Sequence, residues 1–403
     1  METMKTKLNM RSRAMLLVVA IAMITFSSSR LCADTGTCGG QTTTLPFTDV
    51  PASNIFFCSI AEAYFSALTN GTSAATYSPS ANVPREQMAA FVTRTMDSSL
   101  HRSGKRMALD QYWTPQGTDN IALTNVGQLP YLSESDGADL WVANNLSETV
   151  SRVRASDGRL LETWTGATGA AGVLCAMGKV FITGDANPGS LYQIDPTQPA
   201  GAVTVVSSAL SEGPFGIGYD GQRMWTANFS SGSVSIITLD PTSVTNVTMG
   251  FIAPQGMIYD GSNIWVTDSA GSVDKLDSSG AILQSVGVGS APRFPGFDGT
   301  NIWVPNQFSN DVSVVRATGG LSGTVLATLS GNGLNNPLQA TFDGERILVT
   351  NYHGDSVSLW KAADLTPIGT FSTGANTSPF GACSDGLNVW ITFSAFNGKL
   401  ARF

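Results

Sequence analysis

The last two thirds of the chain are built from short apolar runs broken by Gly, Asn, Asp and Pro. One stretch shows the unit. Gln255 to Tyr259 reads as a strand, Asp260-Gly-Ser-Asn263 as a turn, and Ile264 to Thr267 as a second strand. Asp268 to Gly271 turns the chain again, Ser272 to Leu276 forms a third strand, and Ile282 to Val288 a fourth. The second strand is continuously apolar, which predicts that both of its faces are covered.

This unit recurs. Its Asp-Gly pair stands at Asp136, Asp220, Asp260, Asp298, Asp343 and Asp385, with Met177-Gly178 as a degenerate copy. The intervals, about 38 to 45 residues, are those of one four-stranded propeller blade per repeat. Six residues before the anchor stands Pro130, Pro214, Pro254, Pro292, Pro337 or Pro379, with Ala171 in the odd copy. Five residues after it stands Trp141, Trp225, Trp265, Trp303, Leu348 or Trp390, with Phe181 one place early. This stripe predicts the core between blades. The series Asn144, Asn228, Asp268, Asn306 and Asn351 predicts side chains bonded to their own turns. Seven first strands can be counted, but the last repeat stops after its third. Ile121 to Val126 precedes Pro130 as a fourth strand precedes the Pro elsewhere. The expected fold is therefore mainly β, a seven-bladed β-propeller of four-stranded blades over 121–403. Three C-terminal strands and one N-terminal strand complete the last blade, leaving no free edge at the seam.

Helical spacing is expected earlier, in a small domain over 45–97. Ile60, Ala63, Tyr64, Ala67 and Leu68 share one helical face. A second helix is expected from Pro84, with Glu86 in its first turn and Met88, Phe91 and Val92 as its buried stripe. The Gly/Thr-rich 34–44 reads as a flexible lead-in and 98–120 as a linker. At the start, Lys5, Lys7, Arg11 and Arg13 precede the apolar run Ala14 to Phe26, the pattern of a signal peptide over 1–33. That run is short for a bilayer span, so a secreted protein at the cell surface is expected, with no transmembrane segment after cleavage.

Composition agrees with an extracellular β protein. Charged residues are only 13% of the chain and Gly numbers 42. Loss of 1–33 takes the net charge from −8 to −12. An acidic chain without a basic stripe is not expected to bind nucleic acid. Of five cysteines, Cys38 and Cys58 are close enough to pair in an oxidising compartment, whereas Cys175 and Cys383 read as small buried apolar residues.

Two resemblances add to this. Phe47-Thr-Asp-Val-Pro51, the Ile60–Leu68 helix, Tyr77-Ser-Pro79 and Val83-Pro-Arg-Glu-Gln-Met-Ala-Ala-Phe91 resemble one copy of the S-layer homology domain. That family ties secreted proteins to cell-wall polysaccharide, which implies cell-wall polysaccharide or surface-layer proteins as partners. The resemblance places Asp49 and Arg85 in the stretches associated with binding. Only one copy is visible where the family usually has three, and the alternative is that both residues only stabilise the small fold. The repeats resemble the YVTN and NHL-like propeller families, whose members are often extracellular.

Catalytic chemistry is thinly represented. The propeller holds one histidine, His353, in the turn Asn351-Tyr-His-Gly-Asp355. No G-x-S-x-G, H-E-x-x-H, phosphate loop or EF-hand loop occurs. The streptogramin lyase, a secreted propeller enzyme with similar repeats, needs a His, an acidic partner and a divalent metal; His353 with Asp355 is the one candidate pair. No catalytic residue, metal or cofactor is expected. A binding site is easier to motivate, because first-strand starts and b–c turns of a propeller gather at one channel mouth. Tyr131, Gly172, Phe215, Gln255, Arg293, Leu338 and Phe380 follow the repeat Pro, and Tyr352 and His353 lie on the same face. These side chains could grip a protein or glycan ligand, or simply plug the ring.

Overall fold

The computed structural model describes residues 35–38, 41–65, 69–85, 87–89, 91–92, 122–394 and 397–403. The expected signal peptide over 1–33 and the expected linker over 98–120 lie outside the described residues, as do Ala67, Leu68, Glu86 and Ile121. The chain divides into two compact units, Met1–Ser99 and Leu100–Phe403.

In the second unit, seven four-stranded antiparallel sheets form the blades of a β-propeller. Blades 1 to 7 begin at Pro130, Ala170, Pro214, Pro254, Pro292, Pro337 and Pro379, and their strands are called a to d in chain order. The a strands of neighbouring blades touch and form the inner ring. In blade 7, Pro379–Ser384, Val389–Phe393 and Lys399–Arg402 are joined by Ala122–Asn125, which pairs from Ala122↔Arg402 to Asn125↔Lys399. The expected closure is present.

Each seam between blades carries one apolar cluster, and each cluster contains the bulky residue of the repeat. Trp141 packs against Val173, Val180 and Ile182 of blade 2, and Trp225 against Met257 and Ile264 of blade 4. Trp265, Trp303 and Trp390 do the same at the seams with blades 5, 6 and 1. Phe181 and Leu348 fill the remaining two. The indole is not only a wedge. In blades 1, 3, 4, 5 and 7 its Nε1–H donates to the anchoring Asp (Asp136, Asp220, Asp260, Asp298, Asp385) at 2.7–2.8 Å. The other carboxylate oxygen accepts turn N–H groups, as Asp260 does from Ser262 and Asn263. Asp and Trp five residues apart thus tie the a–b turn to the seam. In blade 6, Leu348 offers no N–H, and Asp343 takes the Arg346 guanidinium instead.

The Asn series bonds across its own b–c hairpin. Asn144, Asn228 and Asn351 each donate to two hydroxyls on or beside strand c, and Asn306 to Asp311 and Ser313. Asp268, an acceptor, instead takes the N–H groups of Ile252, Ala253 and Ala270.

In the first unit, a helix (α1) spans Phe57–Phe65, three residues earlier than the spacing predicts. Asn54 starts it by accepting the Phe56 N–H on its side chain and the Phe57 N–H on its carbonyl. The stretch expected to be a flexible lead-in is a hairpin, Thr35–Cys38 paired with Gln41–Thr44. Thr favours extended backbone, and the Cys38–Cys58 disulfide joins the hairpin to the helix. Of the expected buried stripe of the second helix, Phe91 is half-buried, whereas Met88 is 51% and Val92 52% exposed. Leu45, Phe47, Val50, Phe57, Ile60 and Ala61 form the small core. No helix among the described residues is long and apolar enough to cross a membrane.

Candidate functional site

The inner ring is held by one device used four times. A strand-b Thr hydroxyl accepts the N–H of the third residue of its own strand a, and donates to a carbonyl of the next blade. Thr183, Thr267, Thr350 and Thr392 donate to the carbonyls of Phe215, Arg293, Phe380 and Tyr131 at 2.5–3.0 Å. Glycine lets the strands come this close: a Cβ on Gly381 would lie 2.4 Å from the Tyr131 carbonyl, and one on Gly172 2.2 Å from that of Phe215. The residues after the repeat Pro therefore have their backbones fixed by the ring itself, and their side chains are left to face the channel mouth.

There they converge. Tyr131, Phe215, Gln255, Arg293, Leu338, Tyr352 and Phe380 line one cavity of about 230 Å³, together with Phe294 and Gln307. Tyr131 and Phe380 stack with centroids 4.7 Å apart, and Phe215 lies 5.3 Å from Tyr131 and from Phe294. Tyr352 meets Phe380 edge-on, and His353, exposed, stands 5.2 Å from Tyr352. Gly172, without a side chain, does not line this cavity.

Phe294 and Gln307 were not foreseen. Pro295 has no N–H for the ladder, so strand a of blade 5 shrinks to Gly296–Phe297. Phe294 bonds instead to blade 6, donating to the Leu338 carbonyl and accepting from Ala340. The second Pro, three residues after Pro292, was the available signal. Gln307 follows Asn306 as Tyr352 follows Asn351, so repeat register alone would have found it.

The cavity has one cation. Arg293 is half-buried; its Nε donates to the Gln307 side-chain oxygen at 2.5 Å and its Nη1 to that of Gln255. Burial draws the guanidinium down to about 10. Asp185 follows strand b of blade 2 and Glu212 precedes strand a of blade 3, and both are exposed. Burial first, then the charge of Glu212, raises the Asp185 carboxyl. The Tyr131 hydroxyl is raised by burial and by the charge of Asp185.

Deeper in the channel, Phe294 also lines a second chamber of about 240 Å³ with Leu132, Val173, Ile217, Met257 and Glu134. Burial pushes the Glu134 carboxyl up to about 7. Cys175 and Cys383 stand near it, and burial raises both thiols, which fits the reading of them as small apolar residues. Cys383 is buried and Cys175 half-buried.

The lyase-type pair is not assembled. Asp355 accepts the N–H groups of Asn376 and Ser378 at 2.7 and 2.9 Å, shaping the loop before blade 7. Among the described residues no three His, Cys, Asp or Glu side chains are grouped to hold a metal ion. The described residues at the mouth do not fit a metal centre.

In the first unit, Asp49 is engaged in the fold, its two oxygens accepting the N–H groups of Tyr77 and Ser78 at 2.8 and 2.7 Å. Partial burial opposes its charge, but these bonds outweigh it and lower the carboxyl pKa. Arg85 is exposed. A cavity of about 530 Å³ lies between the 69–83 loop and Gln87 and Phe91 of the second helix, and neither Asp49 nor Arg85 lines it.

No protein-family model and no curated protein matches the chain. Solved propellers do match in structure. A streptogramin B lyase superposes with a TM-score of 0.60 at 16% identity, over 71% of this chain and 98% of its own. A catalytically inactive virginiamycin B lyase from Staphylococcus aureus with quinupristin gives 0.56 at 15%, over 70% and 99%. Hydrazine synthase of Kuenenia stuttgartiensis gives 0.56 at 16%, over 70% and 97%. At such identities the likeness shows the fold, a seven-bladed propeller, and leaves the activity open.

Proposed function

We propose that the protein is a secreted, surface-associated binding protein whose propeller takes a protein or glycan ligand at the channel mouth. The observation that carries this reading is the convergence of Tyr131, Phe215, Phe294, Phe380 and Arg293 on one opening. Aromatic walls with a few placed polar groups are the usual composition of a ligand site. The S-layer-homology-like first unit supplies association with cell-wall polysaccharide or surface-layer proteins. The apolar face at Met88 and Val92 is compatible with packing against such a partner.

A pull-down and glycan-array screen with the full chain tests the mouth. A partner retained by the wild type and lost in Phe380→Ala, with unchanged near-UV circular dichroism, supports the site; equal retention refutes it. Cell fractionation with and without 45–97 tests the association, which unchanged wall binding would defeat.

A second reading, a lyase or hydrolase acting at the mouth, draws on the shared fold of the streptogramin B and virginiamycin B lyases. It lacks support at His353 and Asp355, since Asp355 is committed to its loop. Turnover of quinupristin with added divalent metal would favour it over the binding reading.

A further inference from the structure

Arg293 differs from three other arginines of the propeller. Arg152, Arg223 and Arg346 each rest on a carboxylate, at 2.7, 2.8 and 3.0 Å. Arg293 is held only by neutral oxygens, those of Gln255 and Gln307. Both glutamines are themselves positioned, Gln307 by donating to the Asn336 side chain at 2.8 Å and Gln255 by accepting from Ser269. A guanidinium has five N–H donors, and two are used here. Nη2 and one N–H of Nη1 carry no protein acceptor among the described residues. Removing a cation from water without a counter-charge is unfavourable. A fork held rigid and left without an anion is therefore shaped for a ligand that brings one.

We propose that the mouth binds ligands with a single carboxylate on an apolar or aromatic body, the carboxylate taking the free edge of Arg293 and the body lying against Phe215, Phe294 and Phe380. This rests on the mouth being the ligand site. A planar fork matches a carboxylate in two parallel bonds. Asp185, whose charge reaches Tyr131, and Glu212, whose charge reaches Asp185, make the blade 2 and 3 side of the mouth acidic, so the acid end is directed to blade 5. The same two carboxylates count against a phosphate, whose second charge would find no further cation. Phe308, with the Arg293 guanidinium 5.9 Å from its ring centre, extends the apolar wall outward.

The test compares 3-phenylpropionate with its amide, 3-phenylpropanamide, on the full chain, by calorimetry or ligand-observed NMR at low salt. A charge-assisted pair at a partly buried site predicts a preference for the acid of about 10- to 100-fold. Arg293→Gln should erase this preference, and inorganic phosphate should not compete. Arg293→Lys, which keeps the charge but not the fork, should recover part of it. Equal binding of acid and amide overturns the carboxylate inference while leaving the mouth as a site. So does a preference that survives in Arg293→Gln, or the absence of saturable binding by the acid. If Arg293→Gln does not fold, the wild type decides through salt, since the acid but not the amide should weaken as ionic strength rises. Failure of the mouth itself would look different, with the partner captured by the whole protein indifferent to Phe380→Ala.

Discussion

Glu134→Gln should stabilise the propeller, and by an amount that grows with pH. Glu134 is half-buried and lines an inner chamber with Leu132, Val173, Ile217, Met257 and Phe294, and burial raises its carboxyl from 4.5 to about 7. A raised acid favours the folded state in its protonated form. The benefit is complete below the unfolded value, near 4.5, and is lost as pH rises through about 7. Relative to a permanently neutral side chain, ionised Glu134 therefore costs the fold about 1 kcal/mol at pH 5 and at most about 3 kcal/mol at pH 8. Gln cannot ionise and nearly preserves the shape. The gap between variant and wild type should widen by about 2 kcal/mol between those pH values, or roughly 4 °C in melting temperature for a domain of this size. Urea or thermal unfolding followed by tryptophan fluorescence reads it, and comparing the two proteins at each pH cancels every group they share. A pH-independent gap, or a variant less stable than wild type at pH 8, would refute the reasoning.

Two further outcomes follow from the geometry. Deleting Ala122–Asn125 removes the outer strand of blade 7 and bares the Lys399–Arg402 edge. At about 1 kcal/mol for each of roughly four ladder bonds, the melting temperature should fall by roughly 8 °C; an unchanged value would contradict the closure. Asp49→Ala should free the Tyr77 and Ser78 amides, raising their hydrogen exchange at an expected cost of roughly 1–2 kcal/mol. Because this carboxyl is lowered, its contribution is present above the ordinary carboxylate range and disappears as pH falls through its reduced value. Exchange rates equal to wild type at neutral pH would show that Asp49 does not hold the loop.

The ring was legible because its construction repeats. Seven seams need seven wedges, and the bulky residue near the fifth place after each anchor marks them without reference to any contact. The pairing of Asp with the indole N–H was not legible: the two letters are visible, but nothing in their spacing says that one side chain reaches the other. Departures from the repeat were harder still. Glu134 occupies the register position held elsewhere by Cys175, Gly218, Ile258, Gly296, Thr341 and Cys383. A charge among such residues is a signal, and it went unread because the position looked like strand filler. Phe294 depended on how Pro295 redirects a strand, and the exposure of Met88 and Val92 on how the second helix is seated. Helical spacing says which side could be buried, not whether a partner is there.

The strand 122–125 also sets an order of events during synthesis. It emerges before any blade, yet its partner Lys399–Arg402 is made more than two hundred residues later, Asn125 and Lys399 being 274 positions apart. Blades 1 to 6 can form as they leave the ribosome, each from consecutive hairpins, but until 399–402 appears the first strand must wait unpaired. A translation product halted short of that point is an open arc, with the flanks of blades 1 and 6 uncovered and prone to association. Completion of the ring is thus a proofreading step that only a polypeptide extended through residue 402 can pass.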